Sequence, residues 1–172
     1  MSYQPGTAFE SQETIESLQQ EKLQELLRYL NNHSGFYHDL FLKEKIDINS
    51  IHTIADLTVI PPTEKEHLQT ENDRFLCVSR NRIIEYTSTS GTLGSPVTIA
   101  LTENDLQRLA YNEYCSFTCA GGLPEDIYQL MLTLDRQFMA GMAYYSGIRK
   151  LGAGLIRVGP GVPSLQWETL PG

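Results

Sequence analysis

The sequence predicts an α/β fold in which N-terminal helices are followed by βαβ units of a largely parallel sheet. Three observations carry this expectation. Leucines at helical spacing fill the first third of the chain. Strand-like and helix-like segments alternate after residue 80. Between them lies the run Tyr86-Thr87-Ser88-Thr89-Ser90-Gly91-Thr92-Leu93-Gly94-Ser95-Pro96, a loop rich in hydroxyls and glycine that joins two β-type stretches, Arg82–Tyr86 and Val97–Leu101.

The first helix is set by Ile15, Leu18, Leu23, Leu26, Leu27 and Leu30, interleaved with Glu, Gln, Lys and Arg. Asn31-Asn32-His33-Ser34-Gly35 stops it, and the aromatic segment Phe36 to Phe41 follows. His33 and His38 lack a neighbouring nucleophile or orienting carboxylate and read as packing or surface residues. Ile60-Pro61-Pro62 ends a segment, and Thr63-Glu64-Lys65-Glu66 reads as the cap and first turn of a short helix. Beyond the loop, Thr102-Glu103-Asn104-Asp105 is a capping box for a helix with Leu106, Leu109, Ala110 and Phe117 on its apolar face, ending at Gly121-Gly122. Ile127–Thr133 reads as a strand, Phe138–Leu151 as a helix of small residues and Gly154–Val158 as another strand. A last helix starts near Val162 and breaks at Pro171-Gly172. This order implies right-handed βαβ units. So few parallel strands leave a sheet edge unfinished, which implies a partial domain or one completed by another chain, and leaves room for a homo-oligomer.

Composition narrows the function. The 172 residues are 41% hydrophobic and 20% charged, with a formal net charge of −8. Only 13 are Lys or Arg, and these are scattered, which argues against a nucleic-acid partner. The absence of a signal segment or a spanning apolar run argues for no membrane association. Three cysteines, Cys77, Cys115 and Cys119, make no disulfide framework and read as buried structural thiols in a cytoplasmic protein.

The loop itself has the chemistry of a phosphate cradle. Glycines let backbone N–H groups turn toward an anion, and small hydroxyls donate to phosphate oxygens. It lacks the Lys of a Walker A loop, since Gly94 is followed by Ser95 and Pro96. It opens a strand instead of a helix, unlike a dinucleotide fingerprint. Thr-Ser-Gly-Thr-x-Gly-x-Pro between two strands resembles the phosphate loop of adenylate-forming enzymes. The resemblance extends, in order, to Ser34-Gly35-Phe36-Tyr37, Ile54-Ala55-Asp56-Leu57, Ile60 to Lys65, Asp105-Leu106, Phe138-Met139-Ala140-Gly141 and Lys150-Leu151-Gly152-Ala153. With these motifs, the chain resembles the N-terminal part of phenylacetate–CoA ligases, from about Ile15 to Leu170.

That resemblance implies an incomplete adenylate-forming N-terminal domain, with 1–80 a helical region and 81–172 the phosphate-loop strand pair and βαβ region. It implies a small carboxylic acid, such as an aryl acid, as substrate, with ATP, Mg²⁺ and coenzyme A. Acyl-adenylate formation would precede thioester formation. Thr89, Ser90, Gly91, Thr92 and Gly94 would hold the β- and γ-phosphates. Phe138 would pack against an aromatic acid and Arg136 would attract its carboxylate. Relatives commonly carry Lys where Ser95 stands and Thr where Leu93 stands, so this loop has less positive charge and one hydroxyl fewer. The family's later acidic Thr-Glu motif, ribose-binding Asp and adenylation Lys have no counterpart here, so the chain alone is expected to catalyse neither half-reaction. A non-catalytic module that kept the fold, or an acyl-protein synthetase using a protein thiol, would share the same first half.

Overall fold

A computed structural model describes residues 5–89 and 95–169. The chain divides into two compact units, Met1–Ser79 and Arg80–Gly172.

The first unit is helical. α1 (Gln12–His33) begins where the Ser11 hydroxyl accepts the Thr14 N–H at 3.2 Å. Its leucine stripe buries Leu23 and Leu27 against Phe41 and Ile51. Leu26, on the same predicted stripe, is exposed. Ser34 is the joint between α1 and α2 (Gly35–Lys43). Its N–H donates to the Leu30 carbonyl at 2.9 Å, its carbonyl accepts from the His38 N–H at 3.0 Å, and its hydroxyl donates to the Arg74 carbonyl at 3.1 Å. Every polar group of this buried residue is therefore used. The aromatic segment is thus the body of α2, with Phe36 stacked on Phe75 at 4.1 Å between ring centroids. His33 leans on Tyr29, and His38 Nδ1 bonds to the Asn31 carbonyl at 3.1 Å, so both histidines have structural partners.

α3 spans Lys65–Thr70, one residue later than the sequence cap predicts. Glu64 is its N-cap, with its N–H donating to His67 Nδ1 at 3.1 Å. Thr63 is diverted to the Tyr37 hydroxyl, 2.9 Å away. Asp56 caps the 3-10 helix Ile54–Val59, taking the N–H groups of Thr53 and His52 at 2.8 and 2.9 Å. These backbone bonds, Thr53 foremost, hold its carboxyl below the ordinary carboxylate pKa.

In the second unit, β1 (Ile83–Ser88) pairs antiparallel with β2 (Thr98–Thr102), in the register Tyr86↔Ala100, Thr87↔Ile99 and Ser88↔Thr98. β1 runs two residues beyond its predicted end because Thr87 and Ser88, read as loop by their hydroxyls, have strand partners in Ile99 and Thr98. The Thr102–Asp105 capping box starts α4 (Glu103–Cys119), with the Thr102 N–H on Asp105 Oδ2 at 2.9 Å and the return bond at 3.4 Å. β3 (Ile127–Leu130), α5 (Met139–Leu151) and β4 (Gly154–Arg157) form a βαβ unit with Ile127↔Gly154 through Leu130↔Arg157 in parallel register. Parallel pairing is therefore found in this unit, whereas the strands flanking the loop run antiparallel. Gly152, at φ 85°, ends α5 in the left-handed conformation that favours glycine. α6 (Pro163–Glu168) is tied to β3 through Gln129, whose Nε2 donates to the Gln166 carbonyl at 2.6 Å and to Thr169 Oγ1 at 2.8 Å.

α4 and α5 cross with little separation. A Cβ on Gly147 would overlap the Cβ of Glu113, and one on Gly141 would overlap the Thr133 carbonyl oxygen. Phe117 rests edge-on against Tyr128 and Tyr144, at 5.1 and 6.1 Å. The cysteines depart from expectation. Cys119 is exposed and Cys77 and Cys115 are half-buried, because Cys115 and Cys119 lie off the stripe that meets α5. Burial nonetheless pushes the Cys77 thiol pKa up. Among the described residues no helix is long and apolar enough to cross a membrane.

Two outcomes follow from this packing. Gly147→Ala should destabilise the protein by about 1–3 kcal/mol, the range for overpacking, as measured by chemical denaturation. Asp56→Asn should lower the denaturation midpoint at neutral pH. A depressed folded pKa contributes stability above the unfolded value, roughly 3.9, and loses it as pH falls through the folded value. The variant and the parent should therefore converge in acid.

Candidate functional site

The loop is gathered at its base by one residue. The Thr89 N–H donates to the Val97 carbonyl at 3.0 Å, and the Val97 N–H donates back to Thr89 Oγ1 at 3.0 Å. A side-chain hydroxyl here replaces the next rung of the β ladder, so Thr89 and Val97 hold the two ends of the loop together. Val97 is buried at 4% exposure, which anchors the returning end. Ser90, Gly91, Thr92 and Gly94, with Leu93, lie outside the described residues. Ser95 is exposed.

β1 is bonded on its other edge as well. The Ser88 N–H donates to the Gln137 carbonyl at 3.0 Å, and Ser88 bridges Phe138 in parallel. The segment carrying Phe138 reaches that position through a tight turn. The Phe138 N–H bonds back to the Asp135 carbonyl at 3.2 Å, with Arg136 and Gln137 at φ 58° and 57°. Two positive-φ residues in sequence make this a type I′ turn, a geometry usually given to Asn and Gly. Each non-glycine residue there costs about 1–2 kcal/mol, and the bond from Asp135 N–H to Thr133 Oγ1, at 3.0 Å, helps to hold the turn.

A cavity of about 440 Å³ opens at this junction. Ser88 and Thr89 form its strand end, Ile99, Leu109 and Glu113 one wall, and Phe138 with the first turns of α5 the other. Its size falls within the roughly 300–1,000 Å³ of small-molecule sites, and its walls are mainly apolar. The structure thus brings two of the sequence candidates, Thr89 and Phe138, onto one cavity. Arg136 is exposed in the preceding turn and is not among the wall residues. Among the described residues no group of three or more His, Cys, Asp or Glu is assembled for a metal.

Sequence reasoning missed two residues here. Thr87 is 2% exposed and its hydroxyl has no hydrogen-bond partner among the described residues. It shares a sheet face with Ile99, its cross-strand partner, and with Thr89 two residues on, so it lies beneath the cavity wall. Glu113 enters the wall one turn after Leu109. The signal for it was present: Leu106, Ala110 and Phe117 set a stripe in which position 113 calls for an apolar side chain, and a glutamate stands there.

The fold is that of the N-terminal part of an adenylate-forming CoA ligase. An open-conformation crystal structure of 2-hydroxyisobutyryl-CoA ligase, in complex with 2-HIB-AMP and CoA, matches 95% of this chain and 40% of its own, with a TM-score of 0.84 and 18% sequence identity. A second structure of the same enzyme, in the thioesterification state, matches equally well, with a TM-score of 0.84.

The sequence relatives are more particular: phenylacetate–CoA ligases are among them, and the chain resembles the N-terminal part of these enzymes. The Thermus thermophilus enzyme is 29% identical over 171 residues, 96% of this chain and 37% of its own length. The Escherichia coli enzyme is 26% identical over 162 residues, 93% of this chain and 37% of its own. The chain therefore spans little more than a third of these relatives. No protein-family model matches it.

The unpartnered hydroxyl gives a direct test of packing at the site. Thr87→Val keeps the shape and removes a buried polar group without a partner, so it should stabilise the protein by about 1 kcal/mol. A higher melting temperature by calorimetry is the expected result.

Proposed function

We propose that this chain forms part of an ATP-dependent carboxylic acid–CoA ligase, in which it supplies the phosphate loop and one side of the acyl cavity. The observation that carries the reading is the Thr89–Val97 clasp, which closes the base of a glycine- and hydroxyl-rich sequence, with Thr89 itself on the wall of an apolar cavity lined by Phe138. The relationship to phenylacetate–CoA ligases supports it, and so does the fold.

In this reading the loop from Thr89 to Gly94 presents N–H and hydroxyl donors to the β- and γ-phosphates of ATP. The acid lies in the cavity with its acyl part against Phe138, so that its carboxylate oxygen meets the α-phosphate. Attack forms an O–P bond and releases pyrophosphate, giving the acyl-adenylate. The thiol of coenzyme A then attacks the acyl carbon and AMP departs. The chain's contribution is positional: it fixes the phosphates and the acid relative to each other, which converts a two-body encounter into one of fixed geometry. Donors placed around the phosphates also stabilise the charge that moves onto pyrophosphate. The remaining steps need groups beyond those this chain carries, and the chain alone is inactive.

The experiment is acid-dependent exchange of labelled pyrophosphate into ATP by the complete protein. Exchange should require an aryl acid. Phe138→Ala should raise the KM for that acid more than it lowers kcat, because it removes binding common to ground and transition states. Thr89→Val, which leaves the Val97 N–H without its acceptor, should weaken ATP about tenfold, worth about 1.4 kcal/mol. Ser95→Lys should tighten ATP by restoring a positive charge. Absence of exchange with every aryl and fatty acid tried, together with no ATP binding by calorimetry, would refute the reading.

A further inference from the structure

Glu113 departs from its surroundings in a way the proposed reaction does not use. It occupies a position in the α4 stripe where Leu106, Leu109, Ala110 and Phe117 place apolar side chains. Its stem is fixed at the α4–α5 crossing, where only a glycine, Gly147, leaves room for its Cβ. Its carboxylate has no hydrogen bond or ion pair among the described residues, and among the described wall residues it is the only acidic or basic side chain. It is partly buried.

The consequence appears when a ligand enters. A hydrocarbon acyl group would strip water from the carboxylate and give nothing back, whereas a ligand with a positively charged donor would replace the lost water with an ion pair. We infer that Glu113 is a specificity-determining residue that selects carboxylic acids whose acyl part carries an ammonium group. This inference rests on the proposal that the cavity receives the acyl part of the substrate.

Two measurements on the complete protein test it. In the pyrophosphate-exchange assay, 3-(aminomethyl)phenylacetate is compared with its uncharged isostere 3-ethylphenylacetate. The wild type should favour the ammonium compound in kcat/KM by about tenfold or more, since a site with a polar group to satisfy rejects an analogue that cannot satisfy it. Glu113→Gln should erase most of that ratio, and Glu113→Leu should invert it. An unchanged ratio in the variants, or a wild type that favours the ethyl compound, overturns the inference. The second measurement does not depend on adenylation: calorimetric titration with benzylamine, which is protonated at neutral pH and has no carboxylate to activate. Binding by the wild type that is lost in Glu113→Gln supports the role of Glu113 even if exchange fails with every acid. No binding by the wild type, or equal binding by the variant, overturns it. Glu113→Gln keeps the stem that packs on Gly147, so its melting temperature should match the wild type and exclude a folding defect.

Discussion

The candidate site depends on hydrogen bonding along both edges of the last residues of β1. On one edge Thr89 exchanges two bonds with Val97, and on the other Ser88 takes the carbonyl of Gln137. The first pair closes the loop, and the second sets the segment that carries Phe138 beside it. The second bond also helps the Asp135–Phe138 turn to keep Arg136 and Gln137 in a conformation that disfavours both. The strain is tolerated because the turn is held from several sides. Its product is geometric: Thr89 and Phe138 are brought to one cavity from distant parts of the sequence.

The second constraint is the α4–α5 crossing. Gly147 lets α5 approach the stem of Glu113 on α4, and Gly141, on a different side of the helix, lets it approach the Thr133 carbonyl. That approach closes the cavity wall formed by Leu109, Glu113 and the start of α5. A single methyl at either glycine meets atoms that cannot yield cheaply, so the space available to a ligand is set by backbone approach more than by flexible side chains. The same rigidity makes a carboxylate in the wall consequential.

Much of the fold was legible because its signals are local. The Thr102–Asp105 box, the glycine after Leu151 and the leucine stripe of α1 each act within a turn or two of the chain. The misread positions are those where a distant partner decides. Thr63 looks like a cap but is taken by Tyr37, 26 residues away. Thr87 and Ser88 look like loop but pair with Ile99 and Thr98 across the loop. Cys115 and Cys119 look buried by type, yet the helix turns them off its packed face. At the site, Thr89 and Phe138 were readable as candidates, whereas their meeting at one cavity was not, because it needs the bond from Ser88 to Gln137. Glu113 broke a visible pattern, but only the glycine opposite it shows why the break matters.

In this protein the clasped loop and the cavity act on one ligand. A crystal structure of the complete protein with a non-hydrolysable acyl-adenylate analogue of an aryl acid tests this most directly. The acyl group should lie inside the cavity in contact with Phe138, and the phosphate-mimicking group beside the loop that Thr89 closes. An analogue bound with its acyl group elsewhere and the cavity filled only by water would contradict it.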